Sequence, residues 1–209
     1  MTVLGIDTAT RTRSIALGGI EREFDGDLLV AIDALCREQG IAPHALEAVA
    51  VGAGPGSFTG LRIGMATGKG IAFAAGKPLW LASSLAAVAW RARETDADVL
   101  VAVLDARRGE VYAGCYARAT LAPLVGERVL PPGELAAWVD EIAAGRRVAF
   151  IGDCEPLAAP WLAATPSALG VIELASREDA LTTGAPAYIR RAEAEVKYPD
   201  GIPGALRKH

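Results

Sequence analysis

The segment that most restricts this chain is Gly52-Ala53-Gly54-Pro55-Gly56-Ser57-Phe58-Thr59-Gly60-Leu61-Arg62-Ile63-Gly64. It follows a short apolar run, Ala48 to Val51, and leads into a helical pattern from about Gly60 to Ala75. A glycine-rich turn between a strand and a helix belongs to α/β architectures and can seat a phosphate on the helix N-terminus. The Lys-Ser/Thr ending of a Walker loop is missing, and Gly52 and Gly54 match only the start of a dinucleotide fingerprint. The helix carries the stronger constraint. Gly60, Gly64, Gly68, Ala72 and Gly76 recur every four residues and draw one smooth stripe. Each helical glycine costs about 1 kcal/mol relative to alanine, so another backbone must approach closely to compensate. That element is either the chain's own sheet or a helix of a second protein.

Around this block the chain alternates strand and helix signals. Thr2 to Ile6 and Ser14 to Leu17 read as strands. Gly18-Gly19 supplies a hairpin turn into a third strand, Ile20 to Phe24. From Asp27 the period changes: Leu28, Leu29, Ile32, Leu35 and Cys36 share one helical face, and Gly40 sits where a left-handed cap is expected. Pro78 to Ala82 reads as a strand, and Ser83 or Ser84 caps a helix running to about Arg93. Val99 to Asp105 and Val111 to Ala117 form a second strand pair. A helix from Pro131-Pro132 through Ala144 and a strand Val148 to Ile151 follow. The order predicts two lobes, 1–100 and 101–209, with a turn-rich surface tail from Thr182. No fixed-period repeat is visible.

Hydrophobic residues make up 52% of the chain, yet no run reaches the roughly 20 apolar residues of a membrane span. The opening Met1-Thr2-Val3-Leu4-Gly5-Ile6-Asp7 reads as a strand and not a signal peptide, so a soluble, cytoplasmic protein is expected. Cys36, Cys115 and Cys154 are too few and too scattered for a disulfide framework. The net charge of -4 argues against a phosphate-gripping surface. Arg190-Arg191 and Arg207-Lys208-His209 read as solvated surface, so contact with any RNA would be indirect or weak, most of it held by another chain.

Aspartates end three of the strands: Asp7, Asp105 and Asp153. Actin-like and sugar-kinase folds share this layout, in which aspartate-glycine turns hold phosphates and magnesium. Glycine is needed there because backbone must approach phosphate oxygens. Here Asp7 is followed by Thr8-Ala9-Thr10, and Asp105 by Ala106-Arg107-Arg108. Asp7, Thr8, Thr10, Asp105 and Arg107 therefore form either a vestigial nucleotide site or simple caps of strand ends. His44 and His209 are isolated, no cysteine pair has ligand spacing, and no serine has a histidine base in view. A metal site and a serine nucleophile are both unexpected.

The block Gly54 to Gly64 resembles the signature of the TsaB (YeaZ) family. So do Gly5-Ile6-Asp7-Thr8-Ala9-Thr10 with Ser14-Ile15-Ala16-Leu17, Asp105-Ala106-Arg107 with Glu110-Val111-Tyr112, and Pro186-Ala187-Tyr188-Ile189-Arg190. The resemblance runs from the first strand to about Arg190. It implies an actin-like, ribonuclease H-like fold of two lobes with mixed sheets flanked by helices. It also implies a non-catalytic role in making threonylcarbamoyladenosine beside the anticodon of tRNAs that read codons beginning with A. The implied partners are a TsaD-like catalytic subunit, a TsaE-like ATPase and a second copy of the chain. The first-lobe helices are the implied meeting surface, with Leu28, Leu29, Ile32, Gly60, Leu61, Gly64 and Gly68 as its expected lining. No cofactor of its own is implied; ATP or ADP would sit only at the joint between subunits. Gly18-Gly19 and Asp25-Gly26-Asp27 depart from the family, whose members often carry a longer hairpin and a histidine-serine pair there. The rival from residues alone is a small ATP-dependent phosphotransferase of the sugar-kinase kind.

Overall fold

The computed structural model describes residues 1–154 and 161–175. The expected tail, the two basic clusters and the Pro186 to Arg190 motif lie outside them. The first sheet holds β1 (Val3–Asp7), β2 (Arg13–Leu17), β3 (Ile20–Phe24), β4 (Ala48–Gly52) and β5 (Leu79–Ala82) in the order β3-β2-β1-β4-β5. β1 pairs antiparallel with β2 and parallel with β4, and β4 pairs parallel with β5. The second sheet holds β6 (Val99–Arg107), β7 (Glu110–Ala117), β8 (Arg128–Leu130), β9 (Val148–Gly152) and β10 (Trp161–Ala163) in the order β10-β9-β6-β7-β8. Read from its other edge, this is the same topology again: a meander of three strands, then two parallel additions. The fold is a duplication that the amino-acid sequence does not display as a repeat.

Helices fill three layers around the sheets. α1 (Leu28–Gln39) starts at Asp27, whose carboxylate accepts from the Leu29 and Val30 amides, and stops at Gly40 in the left-handed conformation. With α2 (Phe58–Ala75) it covers the outer face of the first sheet. α3 (Ser84–Arg91) and α5 (Ala168–Ala175) form the middle layer, and α4 (Pro132–Ala143) covers the outer face of the second sheet. Alternate residues of each central strand feed different cores. Leu4, Ile6, Val49 and Val51 point to α1 and α2, while Val3, Ala48 and Ala50 point to the middle layer. Val99, Val101 and Val103 meet α4, and Leu100, Ala102 and Leu104 meet α3. Burial on both faces is why these strands read as unbroken apolar runs.

The sheets divide between Ala82 and Val99, and α5 crosses back to lie on the first sheet. Gly5 makes room for it: a Cβ there would sit 2.5 Å from the Ala168 carbonyl oxygen. Polar contacts fasten the crossing. Glu21 on β3 accepts from the Ala168 amide (2.6 Å), the Ser167 hydroxyl (3.0 Å) and Arg91 (3.1 Å). No helix among the described residues is long and apolar enough to cross a membrane.

Candidate functional site

Asp7 ends β1 in the interior, 1% exposed. Its Oδ2 accepts from the Ser84 hydroxyl at 2.7 Å and its Oδ1 from the Ala9 amide at 2.9 Å. Burial pushes its carboxyl up to about 6, only partly offset by these hydrogen bonds. Gly52, at the end of the neighbouring β4, cannot be anything larger: a Cβ there would lie 1.9 Å from Asp7 Oδ2. The carboxylate is thus enclosed by its own chain.

The turn after Asp7 fills the glycine block. Thr8 is buried and donates its hydroxyl to the Gly60 carbonyl at 2.8 Å. The Ser57 amide, just ahead of α2, donates to the Ala9 carbonyl at 2.6 Å. Cβ atoms added at Gly56, Gly60 and Gly64 would meet Ala9 O at 2.4 Å, Thr8 O at 2.1 Å and Thr8 Oγ1 at 2.3 Å. The chain's own carbonyl and hydroxyl oxygens therefore pack directly against these glycines. Thr10 turns back on its own loop, donating to the Thr12 carbonyl.

The second strand end is also committed. Asp105 accepts from the Arg107 amide at 2.7 Å and pairs with the Arg107 guanidinium at 3.1 Å. Arg107, Arg108 and Gly109 all have positive φ, so the hairpin turns tightly here. The Asp105 amide donates to Asp153 Oδ1 at 2.9 Å, and burial raises the Asp153 carboxyl above its usual range. The Cys154 thiol is pushed up to about 12, mainly by burial, which keeps it protonated. Asp7, Thr8 and Thr10 share one turn and Asp105 and Arg107 another; Asp105 and Thr10 are met within their own loops, while Asp7 and Thr8 also reach Ser84 and Gly60. Among the described residues no group of three or more His, Cys, Asp or Glu could hold a metal ion. His44 is exposed on a single turn of 3-10 helix, Pro43–Ala45.

The glycine stripe on α2 faces inward. Gly60 and Gly64 abut Thr8, and a Cβ at Gly68 would be 2.4 Å from Val51 Cγ2. The compensating neighbour is the first sheet, and the same holds for other residues expected to line a partner surface. Leu28, Ile32 and Leu61 are core residues at 6% exposure or less. The reason is geometric: a row of small residues lets α2 settle onto β1 and β4, and larger residues on neighbouring rows then point outward. Leu29 is the exposed member of the expected set, at 57%. Also exposed are Val30 on α1 at 68%, and Phe58, Ile63 and Phe73 on α2, the last at 90%. The Arg62 guanidinium lies over the Phe58 ring at 3.9 Å. The sequence pattern could have indicated this face, since Phe58, Ile63 and Phe73 fall off the glycine stripe.

A family profile described as "TsaD: tRNA N6-adenosine threonylcarbamoyltransferase" matches residues 10–155. A Bacillus subtilis protein named tRNA threonylcarbamoyladenosine biosynthesis protein TsaB is 30% identical, the alignment covering 95% of this chain and 98% of that one. Two solved structures from Pseudomonas aeruginosa share the fold. One, described as similar to peptidase YEAZ, gives a TM-score of 0.77 at 33% identity. The other, described as YeaZ, gives 0.72 at 31%; both cover 90% of this chain and 99% of their own. The duplicated sheets, the aspartates at strand ends and the full-length similarity agree: the fold is actin-like, and the chain belongs to the TsaB (YeaZ) family.

Proposed function

We propose that this chain is a non-catalytic partner subunit in tRNA threonylcarbamoyladenosine biosynthesis. It docks on a TsaD-type threonylcarbamoyltransferase subunit through the outer face of α1 and α2, and a TsaE-type ATPase joins the pair. The reaction it supports adds threonylcarbamoyl to the adenosine beside the anticodon of tRNAs that read codons beginning with A. The observation that carries this reading is a contrast. The turn after Asp7 and the glycine block are packed and hydrogen-bonded to each other. Large apolar side chains stand exposed on the two outer helices instead. Large apolar side chains exposed on two neighbouring helices are the kind of surface that marks an interaction site. Self-pairing would use the same face.

ATP or ADP has a place only at the joint with partner subunits. The net charge of -4 leaves the grip on tRNA to the partner. Such a subunit works in the cytoplasm, where tRNA is modified. Against the phosphotransferase rival stands the burial of Asp7, whose carboxylate is spent on Ser84 and Ala9.

The test is a calorimetric titration of the chain with the TsaD-type subunit of the same organism, using wild type, Val30→Asp and Phe73→Asp. Both side chains are exposed, so both variants should melt as wild type does while losing the partner at least tenfold. Unchanged binding in both would place the partner elsewhere. ATP-dependent phosphoryl transfer by the isolated chain, abolished in Asp7→Asn, would overturn the non-catalytic reading.

A further inference from the structure

We propose that Thr8 is a positioning residue for the partner face: it fixes the first turn of α2, and with it Phe58, Arg62 and Ile63, without touching the partner. This rests on the docking face assigned above. The turn that carries Thr8 is held rigidly from the β1 side, since Asp7 Oδ1 accepts from the Ala9 amide at 2.9 Å. It is then joined to α2 at two points. Thr8 Oγ1 donates to the Gly60 carbonyl at 2.8 Å, and the Ala9 carbonyl accepts from the Ser57 amide at 2.6 Å. Ser57 in turn caps the helix, its hydroxyl accepting from the Gly60 amide at 3.2 Å. Gly60 is therefore held through both its amide and its carbonyl.

The opposite side of the same turn carries exposed groups. Phe58 and Ile63 face solvent, and Arg62 stacks on Phe58. A helix start free to fray would present these groups in many orientations, and ordering them would subtract from affinity. Removing the Thr8 hydroxyl frees the Gly60 carbonyl on its inner side, while β1, β4 and the rest of α2 stay packed. The loss is then local, at the helix end that faces the partner. The block that reads as a phosphate cradle is, on this assignment, the seat of an internal clamp.

The experiment compares wild type, Thr8→Val and Thr8→Ser in the full-length chain. Three quantities are measured: the dissociation constant for the TsaD-type subunit, amide hydrogen exchange across 57–63, and the melting temperature. Thr8→Val should bind about tenfold more weakly, as expected for one lost hydrogen bond. Its exchange should rise in 57–63 and stay unchanged in β1 and β4. Thr8→Ser should restore both. If the valine methyl group is not accommodated, Thr8→Ala against Thr8→Ser isolates the same hydroxyl. Wild-type affinity in the hydroxyl-free variant, equal weakening in Thr8→Ser, or failure of every hydroxyl-free variant to fold would each overturn the assignment. Loss of binding in Phe73→Asp with no loss in Thr8→Val would sink the clamp and leave the docking face standing. Unchanged binding in Val30→Asp and Phe73→Asp would remove the docking face, and the clamp's positioning role with it.

Discussion

Ser84, the first residue of α3, donates its hydroxyl to Asp7 Oδ2 at 2.7 Å, joining the end of β1 to the start of the middle helical layer. The same hydroxyl accepts from the Gly54 amide at 3.3 Å, so one serine ties together β1, the glycine block and α3. In an actin-like nucleotide site, the aspartate at this position must face a metal ion and phosphates. Here it faces a serine in a closed interior. Retention of the carboxylate has an energetic consequence, because the charged form is penalised by burial.

The first prediction concerns that penalty. The Asp7 carboxyl lies at about 6 in the fold against an ordinary value of 3.8, so between these values the folded state holds the proton that the unfolded state has lost. Stability contributed by this group is fully present below about pH 4 and is lost as pH rises through about 6. The gap corresponds to about 3 kcal/mol. Asp7→Asn removes the titration. The stability of wild type minus that of Asp7→Asn, from urea unfolding, should therefore fall by about 2 kcal/mol between pH 4 and pH 7, most of the full difference. A constant difference across that range would contradict the buried-acid account.

The second prediction separates glycines that the sequence presents as alike. Gly68 and Gly70 both lie inside α2. A Cβ at Gly68 would press on Val51 Cγ2 at 2.4 Å, and valine is too short to yield easily, while a Cβ at Gly70 meets nothing within 4 Å. Gly70→Ala should stabilise by about 1 kcal/mol through helix propensity. Gly68→Ala should destabilise by about 1 to 3 kcal/mol through overpacking. Thermal melts of the two variants decide it; equal shifts of either sign would refute the inward packing.

The third prediction follows from Gly64. A leucine there must displace Thr8, whose Oγ1 would be 2.3 Å from the new Cβ. Gly64→Leu should thus lower the melting temperature and lose the partner together. Partner loss at an unchanged melting temperature would mean that the stripe faces outward after all.

Much of the fold was legible because it rests on local rules. Gly18 and Gly19 both adopt positive φ at the hairpin, Asp27 and Gly40 bound α1, and Ser83 caps α3 through the Ala86 amide. What escaped notice was short or lacked a period. β8 and β10 have three residues each, and α5, Ala168–Ala175, is buried between the first sheet and α3. A helix buried on several sides shows no polar face, so its amphipathic signal vanishes. At the candidate site, the spacing of the stripe was visible but its direction was not. Small residues every four positions predict a close neighbour, and only the position of Thr8 and Val51 says which neighbour. The carboxylates at strand ends were equally visible, yet their enclosure depends on Ser84, which lies 77 residues from Asp7.

The last prediction concerns a second polar contact between the layers. Glu127, just before β8, accepts from the Tyr116 hydroxyl at 2.5 Å and from the Ser83 hydroxyl through the same Oε1. Tyr116 is 1% exposed, and burial together with the Glu127 charge holds its hydroxyl well above the ordinary tyrosine range, so it remains a donor. Gly114, two residues earlier on β7, leaves the space it needs, since a Cβ there would lie 2.7 Å from the Tyr116 hydroxyl. Removing the donor and removing the acceptor should therefore differ. Tyr116→Phe deletes one hydrogen bond and leaves Glu127 with Ser83, at about 1 kcal/mol. Glu127→Ala strands a buried hydroxyl with no acceptor, at about 2 to 3 kcal/mol. In the Tyr116→Phe background the buried tyrosine hydroxyl is no longer there to strand and only that of Ser83 remains, so Glu127→Ala should cost about 1 kcal/mol less than it does alone. Urea unfolding of the two single variants and the double variant measures that coupling. Additive effects would mean that the tyrosine and the glutamate do not stabilise the contact as a pair.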